Sequence, residues 1–324
     1  MVLKKNERIS KMLKEMKTNI KKHICVMSVL LVAVPSLTAQ QQNFPKLTGP
    51  YLGQKPPGLT PELFAPGIIT TPFNEAYPSF TKTGKEFYFH CNDKGGWLFT
   101  HVVGDQWSNP QIIPFSDEYK FGEAMVTPDG KIILFCTRYD PGNLNSSQKL
   151  DLWWMEKKNG KWQKPKKFGS KINTIYHEAY PSFAPSGDLY FFRDLENENE
   201  GCEIFVSRYQ NGEFLPPENL GSAVNSSQHD CDPFISPNEK YLLFCVRDQA
   251  DGFGNNDLYV SFKKSDGSWS KSINMGSTFN TKAEEITPYV TPDGKYIFFS
   301  SNRTGNYDIY WVDAKIIEKL RPNH

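Results

Sequence analysis

The most regular feature of the chain is a short, unbroken apolar run that follows a tight turn and returns five times: Phe87-Tyr88-Phe89, Ile132-Ile133-Leu134-Phe135, Leu189-Tyr190-Phe191-Phe192, Tyr241-Leu242-Leu243-Phe244 and Tyr296-Ile297-Phe298-Phe299. Runs with no polar alternation predict strands covered on both faces. A shorter strand precedes each turn, as in Tyr77-Pro78-Ser79-Phe80 and Thr287-Pro288-Tyr289-Val290; the second unit has Ala124 in place of the proline. The turn position recurs at residues 84, 130, 187, 239 and 294, at spacings of 46, 57, 52 and 55, with Glu239 replacing glycine in the fourth unit. Such a period matches one four-stranded propeller blade.

A polar loop then leads to a third strand, which starts with an acid in four units: Asp151, Glu203, Asp257 and Asp308. A fourth strand opens near Trp107, Trp162, Phe214 or Trp269, and in three units the chain then reaches Asn173, Asn225 or Asn280, eight residues before Pro181, Pro233 and Pro288. The fifth unit has no fourth strand, whereas Thr70 stands eight residues before Pro78. Residues 61–70 are therefore expected to supply the missing strand, because a ring closed by both chain ends leaves no free sheet edge. The predicted fold is all-β: a five-bladed β-propeller of four-stranded antiparallel blades, closed by an N-terminal strand that completes the last blade. It occupies residues 61–320 as a single domain, with residues 40–60, rich in Gln, Pro and Gly, as an extended lead-in.

The first 39 residues follow another pattern. Eight basic side chains, from Lys4 to Lys22, precede the apolar stretch 24–34 and the polar-flanked Ala39. This order reads as a secretory signal peptide over 1–39, with Met16 as an alternative start, and an eleven-residue apolar core is too short to span a membrane. Cys25 opens the apolar run instead of following it, so no lipid anchor is indicated. The expected location is the periplasm or the extracellular space. Loss of 1–39 removes eight basic and two acidic side chains and turns the net charge from +1 to −5. A mildly acidic surface gives no reason to seek nucleic acid, which calls for a basic stripe. Of the five remaining cysteines, Cys91, Cys136 and Cys245 sit in strand-like runs and suit buried single thiols, while a disulfide involving Cys202 or Cys231 is the alternative in an oxidising compartment.

In a propeller, the loops entering the first strands and the loops joining strands two and three open on one rim around the channel. Glu75, Glu178, Asp230 and Glu285 stand three residues before the proline in the entering loops, with Glu123 nearly in that place. Carboxylates around one mouth repel unless cations sit among them. Arg138, Arg193, Arg247 and Arg303 follow the second strands, with Lys94 roughly equivalent in the first unit. These residues make either a charged pocket for a sugar, a peptide end or an ion, or a belt of ion pairs that ties loops to blades. The third-strand acids are expected to partner those arginines or to form turns. His177 and His229 share one position in adjacent units beside Glu178 and Asp230, where an acid/base or metal role competes with ordinary loop histidines. The loop 248–257 is acidic and glycine-rich, but its spacing departs from the helix-loop-helix calcium pattern, so it reads as a tight turn. No nucleophile elbow, phosphate loop, paired Cys-x-x-Cys or His-Glu-x-x-His occurs.

The pattern of Pro-Asp-Gly-Lys turn, Phe-Phe-Ser-Ser-Asn-Arg and Asp-Ile-Tyr, fullest in residues 287–311, resembles the WD-like propeller repeat of TolB-type periplasmic proteins over residues 61–313. That resemblance implies an exported propeller engaged with other envelope components. The expected partners are an envelope protein, a peptide or a glycan, with no nucleic acid and no membrane span, for a monomeric chain; no cofactor or metal is assigned. The leading reading is a binding or scaffold module. The alternative is a carbohydrate-active hydrolase or lyase using Glu178, Asp230 and Glu285 as acid, base or nucleophile, with His177 or His229 assisting.

Overall fold

The computed structural model describes residues 44–140, 142, 149–197 and 200–321; the expected signal peptide lies outside them. The apolar runs become the second strands of five antiparallel blades: Glu86–Cys91, Ile132–Thr137, Leu189–Asn197, Tyr241–Arg247 and Tyr296–Ser301. Leu242, Leu243 and Phe244 are all buried, as are Ile297, Phe298 and Phe299. Successive strand residues point to opposite faces, so both faces of these strands are covered, which explains the lack of alternation.

Each second strand lies between a first strand (Glu75–Phe80, Ala124–Val126, His177–Phe183, His229–Ile235 or Glu285–Val290) and a third (Gly96–Val103, Asp151–Lys158, Glu200–Ser207, Asn256–Phe262 or Asp308–Asp313). First strands of successive blades touch one another from blade 1 to blade 5 and back to blade 1. They therefore line the axis of a closed ring. Side chains stitch neighbours across it: Ser79 Oγ accepts from Val126 N, Ser182 Oγ accepts from Ile235 N (both 3.3 Å), and Tyr289 Oη donates to Phe80 O at 2.8 Å.

The ring closes as the repeat predicts. Glu62 and Leu63 pair with Trp311 and Tyr310 as the outer strand of blade 5. Phe64, the next residue, is fully buried, with ring centroids 5.0 Å from Phe298, 5.2 Å from Trp311, 5.4 Å from Phe87 and 5.9 Å from Phe80. One side chain thus joins the first and last blades. The lead-in adds to this seam through Tyr51, whose ring lies edge-on to Phe80 and Tyr296 at 5.1 and 5.0 Å. The turn that delivers Tyr51 ends at Gly53, where φ is +67° and a Cβ would sit 2.4 Å from Thr48 O, so only glycine fits.

The eight-residue step from Asn to Pro also has a physical cause. In Asn173, Asn225 and Asn280 the side-chain amide acts as a piece of strand: Oδ1 accepts from Leu152 N, Ile204 N or Leu258 N at 2.7–2.8 Å, and Nδ2 donates back to the same residue's carbonyl at 3.0–3.1 Å. All three asparagines are buried. Thr70 holds the corresponding place at the closure, donating from Oγ1 to Phe64 O at 2.8 Å. The chain must leave this anchor and reach the channel in a fixed number of residues. Among the described residues, no helix is long and apolar enough to cross a membrane.

Candidate functional site

The first strands carry two concentric sets of polar residues, one three positions before the proline and one immediately before it. In the outer set, Glu75, Glu178 and Glu285 are fully buried. Each carboxylate closes its own entering loop by accepting from a threonine N–H and hydroxyl: Thr71 at 3.1 and 2.5 Å, Thr174 at 3.0 and 2.5 Å, and Thr281 at 2.8 and 2.9 Å. Each also holds a cation, Lys94 at 3.4 Å, Arg193 at 2.8 Å and Arg303 at 3.1 Å. The arginines donate further to Ile172 O (3.3 Å) and Phe279 O (2.6 Å) and lie over the ring pairs Phe191/Phe205 and Phe299/Tyr310. A buried ion pair is tolerable only with such additional hydrogen bonds. Three of the sequence-derived site carboxylates therefore form a belt that ties loops to blades.

Blade 4 breaks the belt. Asp230 is fully buried and accepts from Ser226 N at 2.7 Å and Ser226 Oγ at 2.9 Å, both through Oδ2, while Oδ1 has no hydrogen-bond partner among the described residues. Its cross-strand neighbour is Val246, where Glu178 faces Arg193. The aromatic floor is nevertheless built: Phe244 and Tyr259 stack at 6.2 Å and 26°, as Phe191 and Phe205 do at 6.2 Å and 20°. Only the guanidinium is missing. Aspartate is one methylene shorter than glutamate, and the arginine falls one residue later, at Arg247, on the other side of the strand. Burial pushes the Asp230 carboxyl up to about 7, with the Glu203 charge adding to it. Restoring the belt with Asp230→Glu and Val246→Arg is expected to stabilise the fold by about 1–3 kcal/mol, the usual worth of satisfying a buried charged acceptor. The urea midpoint reads the gain, and an unchanged or lower midpoint contradicts this account.

Blade 2 has Phe121 in the belt position, stacked on Phe135 at 3.7 Å. Glu123 stands two residues further along, so it is not a belt member but belongs to the inner set. That set consists of Tyr77, Glu123, Tyr180, Asp232 and Thr287. Four of its members precede a proline and adopt left-handed φ values of 58° (Tyr77), 48° (Tyr180), 53° (Asp232) and 55° (Thr287). The strand register shifts at each of these places. Left-handed backbone is costly for a β-branched residue such as Thr287 and persists only when neighbours impose it. Here the amides reach the preceding blade: Tyr180 N donates to Glu123 Oε2 and Thr287 N to Asp232 Oδ2 (both 3.1 Å), and Tyr77 N to Ser300 Oγ at 3.3 Å.

The two inner acids influence each other. Burial and then the Asp232 charge push Glu123 up to about 7, and burial pushes Asp232 up to about 6. Arg138 and Arg247 oppose this only weakly, acting on Glu123 and Asp232 respectively. Thiols attend both acids, Cys136 donating to Glu123 at 3.2 Å and Cys245 to Asp232 at 3.5 Å. The phenols of Tyr77 and Tyr180 are raised by burial and by these acids, Glu123 foremost for Tyr77 and Asp232 for Tyr180. Both carboxyls therefore hold a proton more readily than an ordinary side chain does.

The remaining sequence-derived residues have structural partners. His177 Nδ1 accepts from Leu150 N at 2.9 Å and His229 Nδ1 from Cys202 N at 3.4 Å, so both rings pin the preceding blade's third strand. Of the third-strand acids, expected to be arginine partners or turn-formers, Asp257 and Asp308 accept from residues of the loop just before them. Asp151 pairs with Lys167 at 2.7 Å, Glu203 accepts from Asn219 at 2.5 Å, and Asp308 accepts from Thr304 at 2.5 Å. Asp257 closes the 248–257 loop by accepting from Phe253 N at 2.5 Å and Gly254 N at 3.2 Å. Arg138 and Arg247 are exposed on the rim. The sequence pointed to Glu123 alone of the inner set because its members look unrelated; the signal was the position before each proline, or before Ala124 in blade 2. Among the described residues, no group of three or more His, Cys, Asp or Glu side chains is placed to hold a metal ion.

No family model matches the chain, and no curated protein matches it. Among solved structures, the chain is similar to the endo-arabinase from Bacteroides thetaiotaomicron VPI-5482, with 13% identity over 80% of this chain and 97% of that one and a TM-score of 0.52. It is also similar to the putative TolB from Agrobacterium tumefaciens (13% identity, 75% and 78% covered, TM-score 0.48) and to native Bacillus subtilis arabinanase Arb43A (11%, 75% and 95%, TM-score 0.45). At such identities the likeness concerns the fold alone.

Proposed function

We propose that this chain is an exported binding module that takes a glycan, a peptide or another envelope component at the channel mouth. The observation that carries this reading is the displaced arginine of blade 4. Arg247 leaves a buried carboxylate oxygen unpaired and stands exposed on the rim, within electrostatic reach of Asp232 and Glu284. Departures from a repeat that sacrifice stability are the places where function is expected. Around the mouth, the entering loops of blades 1 and 3 expose Phe73 and Ile175, and the loops after the second strands of blades 2 and 4 expose Tyr139 and Phe253. Apolar side chains around a polar opening suit a ligand that stacks on the rim and hydrogen-bonds at the centre. Arg247→Ala is expected to weaken binding at least tenfold with little change in melting temperature, as measured by calorimetry with the best ligand from a glycan and peptide panel. Unchanged affinity removes Arg247 from the site and takes away the support for this reading.

A second reading, a carbohydrate-active hydrolase or lyase, draws on the Glu123 and Asp232 pair. Two carboxyls with raised affinity for a proton suit acid/base work. Glu178 and Glu285 are poor candidates, since each is spent on a threonine cap and an arginine. Product release from a polysaccharide that is abolished by both Glu123→Gln and Asp232→Asn supports this reading; binding without cleavage supports the first.

A further inference from the structure

The seam between blades 3 and 4 carries a second chemistry. Three of the described cysteines direct their thiol hydrogens at carboxylates, Cys91 at Glu75, Cys136 at Glu123 and Cys245 at Asp232. Cys202 and Cys231 are placed differently. Cys202 is the third residue of the third strand of blade 3, and Cys231 lies in the first strand of blade 4. The two strands meet closely here: a Cβ on Gly201 would lie 2.9 Å from Gln228 O and from the His229 ring, and Cys202 N donates to His229 Nδ1 at 3.4 Å. Cys202 is buried, Cys231 is half-buried, and both belong to one apolar cluster. The Cys202 thiol is the largest influence on the Cys231 thiol, ahead of burial, and together they hold it well above its usual range. A glycine before Cys202 allows this approach, since any side chain there would force the strands apart.

We propose that Cys202 and Cys231 form an inter-blade disulfide when the chain meets a disulfide oxidant such as oxidised glutathione. One cysteine thiolate attacks the oxidant, forms a mixed disulfide and releases one reduced glutathione. The second thiolate attacks the protein sulfur of that mixed disulfide and releases the other. The two protein thiols lose two electrons and two protons, which end on the two glutathione thiols. Cys245 stands directly across from Cys231 in the sheet and is the competing partner, but its thiol is engaged by Asp232. The link would fasten blade 3 to the strand that bears both Asp230 and Asp232, at the seam where the belt has lost its cation.

The test is to refold the full chain in reduced and oxidised glutathione, alkylate it under denaturing conditions and map the peptides by mass. The expected result is one joined pair of peptides containing Cys202 and Cys231, two hydrogens lighter than their sum, with Cys25, Cys91, Cys136 and Cys245 alkylated. The melting temperature should rise by roughly 5–10 °C over the reduced form, as closing a loop of this size predicts. Cys245→Ser should retain the link, and Cys202→Ser should abolish both link and rise. Full alkylation at all six positions, glutathione adducts without a cross-link, or a Cys231 to Cys245 link would each overturn the proposal.

Discussion

Replacing Phe64 by alanine is expected to lower the stability of the propeller by about 3–5 kcal/mol, the range for removing a fully buried phenylalanine. The ring is not an ordinary core residue. It touches Phe80 and Phe87 of blade 1 and Phe298 and Trp311 of blade 5, so its loss opens a void in the one seam that chain connectivity does not hold. A similar truncation in the middle of a blade leaves both neighbours joined by a short loop. At the closure, the adjacent strand is only two residues long, Glu62 and Leu63, and it depends on Phe64 to stay in register. The urea midpoint should fall and protease cleavage near residues 55–65 should quicken. Phe64→Leu, which refills most of the volume, should recover more than half of the loss. If Phe64→Ala melts within a degree or two of the natural chain, the seam is held by something else.

The second large effect concerns pH. The Asp230 carboxyl titrates at about 7 in the fold, against an ordinary value of 3.8, because its burial lacks a compensating cation. A raised acid binds a proton in the native state that the unfolded chain has already released, so stability falls as pH rises from about 4 to about 7 and is flat above. Glu123, at about 7, and Asp232, at about 6, act in the same direction as a coupled pair. The sum is on the order of several kcal/mol across this window. Melting temperature should therefore be higher at pH 5 than at pH 8. Asp230→Asn should reduce the slope without removing it, raising the melting temperature more at pH 8 than at pH 5, because the amide is neutral throughout while Glu123 and Asp232 still titrate. A natural profile without slope between pH 5 and pH 8 would refute the raised value.

These effects show which parts of the molecule are legible in the chain. The blades are, because the unbroken runs such as Tyr241-Leu242-Leu243-Phe244 and the prolines record burial on both faces and a fixed bend. The closure is legible too, since Thr70 repeats the eight-residue step of Asn173, Asn225 and Asn280. The belt is visible as a coincidence of acids and bases, but whether it is glue or a pocket depends on side-chain direction. A one-residue shift, from the place of Arg193 to that of Arg247, moves a guanidinium from one face of a strand to the other without changing the local composition. The inner set was hidden for the opposite reason. Tyr77, Glu123, Tyr180, Asp232 and Thr287 share a backbone position, not a chemistry, and the left-handed φ of Tyr77, Tyr180 and Thr287 emerges only when neighbouring blades supply acceptors for their amides.

The order in which the chain is made gives the outer strand of blade 5 a further meaning. Glu62 and Leu63 emerge from the ribosome well before their partners Trp311 and Tyr310, which lie about 250 residues further along the chain. No circular arrangement can form on a partial chain, and pairings so distant along the sequence are slow to find. This architecture withholds its final clasp until the third strand of blade 5 has been made.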